Sequence, residues 1–134
     1  NLHQSGVPLD ACFDALNLSD PERVQAIHQA FIAAGAEIIE TNTFGANRFK
    51  LAAHNHAAEV SAINHAGVAI ARAAVGEKPV YVAGSVGPLG VRLAPYGRIS
   101  AEQAFEAFYE QIAALILGGV DLLILETFTD LNEI

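Results

Sequence analysis

The sequence predicts an α/β fold with parallel strand–helix alternation, a partial (β/α)8 TIM barrel covering about the first half and truncated at both ends. Three observations carry that expectation. Short apolar strands begin near residues 37, 80 and 121, and helical patterns with their own caps lie between them. Regular alternation of this kind implies right-handed crossovers and a parallel sheet. The strands are apolar on both faces, as in a sheet covered by helices or closed as a barrel. A complete (β/α)8 barrel takes ~250 residues. At 134 residues the chain fits half a barrel or a small doubly wound domain. The lack of a strand before the first helix favours the half barrel. So does an ending inside Asp130-Leu131-Asn132-Glu133, a spacing that opens a helix by reciprocal capping.

The elements follow in order. Ser19 is placed to cap a helix, with Glu22 three residues on and Pro21 in the first turn, where backbone donors have no partner. Val24, Ile27, Phe31 and Ile32 form its apolar face, and Gly35 closes it. Glu37 to Thr41 reads as the first strand. Arg48 to Val75 is helical with a break near Asn55, and Gly76 and Pro79 punctuate its end. Val80 to Gly84 is the second strand, followed by a long loop from Ser85 to Arg98. Ser100 and Gln103 make a capping pair for a helix that presents Phe105, Phe108, Ile112, Leu115 and Ile116 and ends at Gly118-Gly119. Asp121 to Glu126 is the third strand.

Composition narrows the function classes. Apolar residues make up 52% of the chain and charged residues 16%, which excludes a disordered tail. No apolar run reaches the ~18 residues needed to cross a bilayer. A net charge of -8 repels nucleic acid and anionic membrane surfaces, so neither is expected as a partner. The single cysteine, Cys12, excludes a disulfide framework and fits a cytoplasmic protein.

Ligands of such folds bind at the carboxyl ends of the strands. Three polar clusters stand there: Thr41-Asn42-Thr43, Gly84-Ser85-Val86-Gly87-Pro88, and Glu126-Thr127. Any one hydroxyl or amide could simply cap a helix or satisfy loop backbone. Three clusters on one face argue for a site. Glu126 follows four apolar residues, so its carboxylate belongs at the rim of a buried sheet, where a substrate ammonium would pair with it.

Other motifs carry less. Gly84-Ser85-Val86-Gly87 lacks the dinucleotide-binding glycine spacing, and no phosphate-binding loop of the nucleoside triphosphatases exists. His54, His56 and His65 do not share a helix face at metal-ligand spacing, and they and His28 read as structural. Cys12 reads as a half-buried structural thiol. Arg92, Tyr96 and Arg98 lie in the long loop and could cover the mouth of a site. From the residues alone no metal ligand is assigned.

Three ordered stretches, Ala34 to Arg48, Val82 to Gly90 and Gly118 to Phe128, resemble the homocysteine S-methyltransferase family. Within it the chain is similar to modules that accompany cobalamin, or a methylenetetrahydrofolate reductase. The resemblance covers essentially the whole chain and implies that residues 1–134 are the N-terminal part of a homocysteine-binding (β/α)8 barrel. It implies an enzyme that moves a methyl group to the thiol of homocysteine to give methionine. The family's ammonium-gripping carboxylate falls on Glu126, and Thr41, Asn42, Thr43 and Ser85 would line the pocket beside it. The family's zinc ion, held by three cysteines, would convert the thiol to thiolate. None of those cysteine positions exists in this chain, and Cys12 does not match them. The chain by itself is therefore expected to be inert, with no catalytic residue assigned. Methyltetrahydrofolate or cobalamin would act through other modules, and the methyl donor is left open.

Two other readings stand beside this one. A barrel aldolase or isomerase acting on a phosphorylated substrate would show a Lys at a strand exit, and Lys50 and Lys78 are not there. A non-catalytic half-barrel would pair through its open sheet edges.

Overall fold

Three parallel strands, β1 (Ile38–Glu40), β2 (Tyr81–Val86) and β3 (Leu122–Leu125), lie side by side in the order β1-β2-β3. This arrangement is seen in a computed structural model that describes residues 2–4, 6–8 and 10–133. The register sets Ile38, Ile39 and Glu40 opposite Tyr81, Val82 and Ala83, and Ala83 to Val86 opposite Leu122 to Leu125. The parallel strand–helix alternation of a partial (β/α)8 barrel is what the chain forms.

Among the described residues, five helices connect and cover the strands: α1 (Leu16–Ser19), α2 (Pro21–Ala33), α3 (Arg48–Ala52), α4 (Val60–Val75) and α5 (Ala101–Gly118). Single 3-10 turns occupy Ala57–Glu59 and Leu131–Glu133. The break expected near Asn55 is real. The chain there takes a φ of 64 at Asn55, leaves α3, and re-enters a helix at Val60. The Ser100–Gln103 capping box forms as expected, with Ser100 Oγ accepting from the Gln103 amide at 3.1 Å and Gln103 Oε1 from the Ser100 amide at 3.0 Å.

Two caps differ from the sequence expectation. Ser19 belongs to α1 and donates to the Ala15 carbonyl, whereas Asp20 caps α2 by accepting from the Arg23 amide. Asp20 stands at the junction into the helix, one residue nearer the first turn, where its carboxylate meets the free amides. At the other end the Glu133 side chain does not reach back to the Asp130 amide. Its Oε2 accepts from the Leu89 amide at 2.9 Å, and Asp130 holds Asn132 instead. The long loop after β2 thereby acquires an acceptor from the far end of the chain.

Alternation along the strands divides the core. Ile39 and Val82 point to the helix side, where they pack with Ile32 of α2 and Ala71, Ala74 and Val75 of α4. Val86 packs there with Val68 and Leu115. On the opposite face Ile38 and Tyr81 are 49% and 61% exposed. α5 turns inward on a stripe of small residues, Ala104, Ala107 and Ala114, together with Gln111 and Leu115. Phe105 and Ile116, expected on its buried face, are exposed, and Phe105 stacks on Tyr109 with ring centroids 6.1 Å apart. Small side chains let α5 approach α4 closely, and the bulky apolar residues are displaced outward.

Candidate functional site

The period of two along each strand puts Glu40 of β1, Ser85 of β2 and Glu126 just past β3 on one face, at the carboxyl edge of the sheet. Ser85 Oγ donates to Glu126 Oε1 at 2.5 Å. Glu40, opposite Ala83 in the register, shares that face with Ser85 and lies close enough to the Glu126 carboxylate to feel its charge. Partial burial raises the Glu40 carboxyl above the ordinary range, and the neighbouring Glu126 carboxylate raises it further. Thr127 follows Glu126 with φ 62, an uncommon conformation for a β-branched residue, and turns the chain at the strand exit.

Beneath these carboxylates lies a closed hydroxyl relay. Thr43 Oγ1 donates to the Ser85 carbonyl at 2.8 Å, which spends its one proton. The 2.6 Å contact between the Thr41 and Thr43 hydroxyls must then be donated by Thr41. Thr41 Oγ1 in turn accepts from the Ser85 amide at 3.1 Å. Both threonines are buried. The relay locks the β1 exit to Ser85 and so fixes where the Ser85 hydroxyl sits.

Asn42 turns the other way. Its Nδ2 donates to the Phe13 carbonyl at 2.7 Å and to Asn17 Oδ1 at 3.0 Å, and Asn17 Nδ2 returns a bond to the Asn42 carbonyl at 2.8 Å. Gln111 of α5 donates to the Thr43 carbonyl at 2.7 Å. Gly67 of α4 makes room for this loop. A Cβ there would lie 2.7 Å from Thr43 Cγ2 and 2.8 Å from Asn17 Nδ2.

A cavity of about 880 Å³ opens beside β1. Glu40, Thr41 and Asn42 line it together with Asp14, Phe44 and Ile124. His3 and His28 also reach it, and no Lys or Arg does among the described residues. Burial raises the Asp14 carboxyl, while the Gly45 amide, donating to Asp14 Oδ1 at 2.9 Å, opposes that rise. Burial lowers the His28 imidazole, which is therefore a neutral group at neutral pH. Phe31, expected in the core, is 55% exposed and stands on the rim of this cavity.

The structure thus brings Ser85 and Glu126 into direct contact, ties Thr41 and Thr43 to the Ser85 backbone, and leaves Asn42 on the cavity wall. Thr43 is fully buried and does not line the cavity. Glu40 and Asp14 were not among the residues singled out from sequence. Glu40 carried the same signal as Glu126, a carboxylate closing an apolar strand. Asp14 lies in an aperiodic segment and carried none. Arg92 and Tyr96 line a separate hollow of about 430 Å³ with Asp130 and Glu133. Cys12 is half-buried against Ala15, Ala46 and Leu51, and burial raises its thiol. His56 pairs with Glu59 at 2.5 Å and His65 with Ser61 at 3.2 Å. No described helix is long and apolar enough to cross a membrane.

Acidic side chains gathered at the exits of parallel strands, over a relay that fixes them, are the layout of an active face in the β/α class. The chain belongs to the homocysteine S-methyltransferase family, whose model matches residues 2–134. It is 32% identical over 131 residues to methionine synthase of Mycobacterium leprae and 33% identical to that of Mycobacterium tuberculosis. Those alignments cover 94% of this chain and 11% of each relative. The metallated form of the homocysteine methyltransferase MmuM from Escherichia coli superposes with a TM-score of 0.83 at 28% identity, over 98% of this chain and 52% of that one. Its apo form superposes with a TM-score of 0.68. The chain spans about half of the solved enzyme and about a tenth of the curated relatives.

Proposed function

We propose that residues 1–134 form the N-terminal part of a homocysteine-binding (β/α)8 barrel and supply the substrate-holding face of an enzyme that methylates homocysteine to methionine. The observation that carries this is the Ser85–Glu126 contact at the carboxyl edge of the sheet, on the face it shares with Glu40, which lines a cavity with Asp14 and, among the described residues, with no Lys or Arg. Glu126 anchors the amino group through charge-assisted hydrogen bonds. Ser85 fills one lone pair of that carboxylate and so aims the rest. Thr41 and Thr43 act through the Ser85 backbone, and Asn42 frames the wall.

The same lining disfavours an aldolase or isomerase of phosphorylated substrates. A phosphate would meet Asp14 and Glu40 there, and Lys50 lies against the Phe44 ring, 4.2 Å from its centroid. A non-catalytic reading, in which the edge strands β1 and β3 pair with further strands, would be read by sedimentation at increasing concentration.

The residues of this chain do not fit the family's zinc. Cys12 is its single thiol and faces a hydrophobic cluster, and no group of three His, Cys, Asp or Glu among the described residues could hold a metal ion. No step is therefore routed through a metal, and the chain by itself binds without turning over. Zinc, and methyltetrahydrofolate or cobalamin, belong to other parts of the enzyme. A single thiol, which excludes a disulfide framework, supports a cytoplasmic reading of the enzyme.

Glu126→Gln in the intact enzyme tests the assignment. Homocysteine binding by calorimetry is expected to weaken at least tenfold, with turnover at saturation nearly kept. Normal binding with lost turnover would make Glu126 an acid–base residue and overturn the reading.

A further inference from the structure

We infer that Gln111 of α5 is a positioning residue for the substrate-holding face: its amide holds Thr43, and through Thr43 it sets where Ser85 and Glu126 meet. What that face holds rests on the ammonium reading above. The bonds that lead to it do not.

Gln111 is fully buried, and its Nε2 donates to the Thr43 carbonyl at 2.7 Å. A carbonyl can only accept, so the amide nitrogen must face Thr43 and the amide oxygen must face away. That oxygen, Oε1, finds no donor among the described residues. An unmet acceptor in the core is a standing cost to folding. Methionine or leucine would fill nearly the same space without it. Nor does the Thr43 carbonyl depend on this donor for its own satisfaction, because the Ala46 amide also donates to it at 3.0 Å. What Gln111 contributes is a tie between the loop after β1 and a helix of the outer layer. That contribution is position.

The same helix touches the other end of the site. Phe108, three residues before Gln111, packs on Phe128 with ring centroids 5.8 Å apart, and Phe128 lies two residues beyond Glu126. Residues three apart share a helix face, so one side of α5 holds the exits of both β1 and β3. From Thr43 the path is short. Its hydroxyl donates to the Ser85 carbonyl at 2.8 Å, and the Ser85 hydroxyl donates to Glu126 at 2.5 Å. Gly67 of α4 closes in on the Thr43 methyl, where a Cβ would stand only 2.7 Å away. Thr43 is thus held at its methyl, its hydroxyl and its carbonyl, and Gln111 is the hold that ties it to α5.

Gln111→Met in the intact enzyme is the test, with Gln111→Leu as a second variant of different shape. Urea midpoints should stay at or above the parent's, since the orphan oxygen goes with the bond. Hydrogen exchange of the peptide carrying Ser85, read by mass spectrometry, should quicken. The Ser85 amide donates to the Thr41 hydroxyl, which itself rests on Thr43, so it loosens when Thr43 does. The KM for homocysteine should rise about three- to tenfold with kcat kept. Thr43→Val should raise KM likewise, and adding Gln111→Met to it should raise KM no further.

Unchanged exchange in both variants overturns the hold of Gln111 on the relay, whatever the enzyme binds. A lowered urea midpoint with KM unchanged makes Gln111 a packing residue and overturns its positioning role. Effects that add to those of Thr43→Val overturn the path through Thr43. Glu126→Gln, measured beside these variants, separates the two readings. If it weakens homocysteine binding while Gln111→Met does not, this inference alone fails. If neither weakens binding, the ammonium reading fails and takes the inference with it.

Discussion

The Thr43 hydroxyl donates to the carbonyl of Ser85, 42 residues further along the chain, and the Thr41 hydroxyl closes the loop by accepting from the Ser85 amide. One residue of β2 is thus held at both backbone groups by the exit of β1. That hold places the side chain which touches Glu126.

Thr43→Val tests the relay. Valine has nearly the shape of threonine, so packing is kept while the Ser85 carbonyl loses this donor and the Thr41 hydroxyl loses its acceptor. Both sites are buried. A loss of about 1–3 kcal/mol is expected in urea unfolding. A change under about 0.5 kcal/mol would show that the relay is incidental.

Gly67→Ala should reverse the usual sign. In an exposed helix interior alanine gains about 1 kcal/mol over glycine. Here the new methyl group would press on Thr43, pinned by its hydrogen bonds, and on Asn17, which donates to Asn42 and to Ile63. A net loss of about 1–3 kcal/mol is expected from thermal or urea unfolding. A stabilised variant would mean that the loop gives way freely.

Ser85→Ala should act on substrate capture alone. It removes the hydroxyl from Glu126 and leaves the backbone bonds to Thr41 and Thr43 in place. In the intact enzyme the expected result is a KM for homocysteine raised about three- to tenfold, roughly 1 kcal/mol, with kcat kept. A fall in kcat at unchanged KM would move Ser85 into the chemical step.

His28 sets a pH dependence of stability. Burial lowers its folded-state value below that of the unfolded chain, and its Nε2 has no partner among the described residues. The neutral form is the one that folds. Its contribution is therefore complete above the unfolded value of about 6.5 and is lost as pH falls toward the lowered folded value. Urea midpoints should drop between pH ~7.5 and pH ~5.5, and His28→Phe should flatten that drop. An unchanged slope in the variant would assign it to other groups.

Much of the frame was legible because it is local. The Ser100–Gln103 box, the glycines after α2 and α5, the break at Asn55 and the three apolar strands follow from spacing and backbone preference within a few residues. Where two local solutions competed, as at Ser19 and Asp20, position relative to the first turn chose the cap, and the letters alone did not reveal it. The outward turn of Phe105 and Ile116 was equally hidden, since helical periodicity shows a face but not how close the neighbouring helix comes.

The sequence by itself determined the alternation, the parallel sense and the strand exits at which chemistry gathers, because each depends on runs of adjacent residues. Glu126 was visible for that reason, as a carboxylate ending an apolar strand. Tertiary structure alone decided that Glu40 shares its face of the sheet. Parallel register across β2, a matter of hydrogen bonds between strands some forty residues apart, sets Glu40 on the face that carries Ser85 and Glu126. It also spent Thr41 and Thr43 on backbone, since a buried hydroxyl takes the nearest partner that burial leaves it.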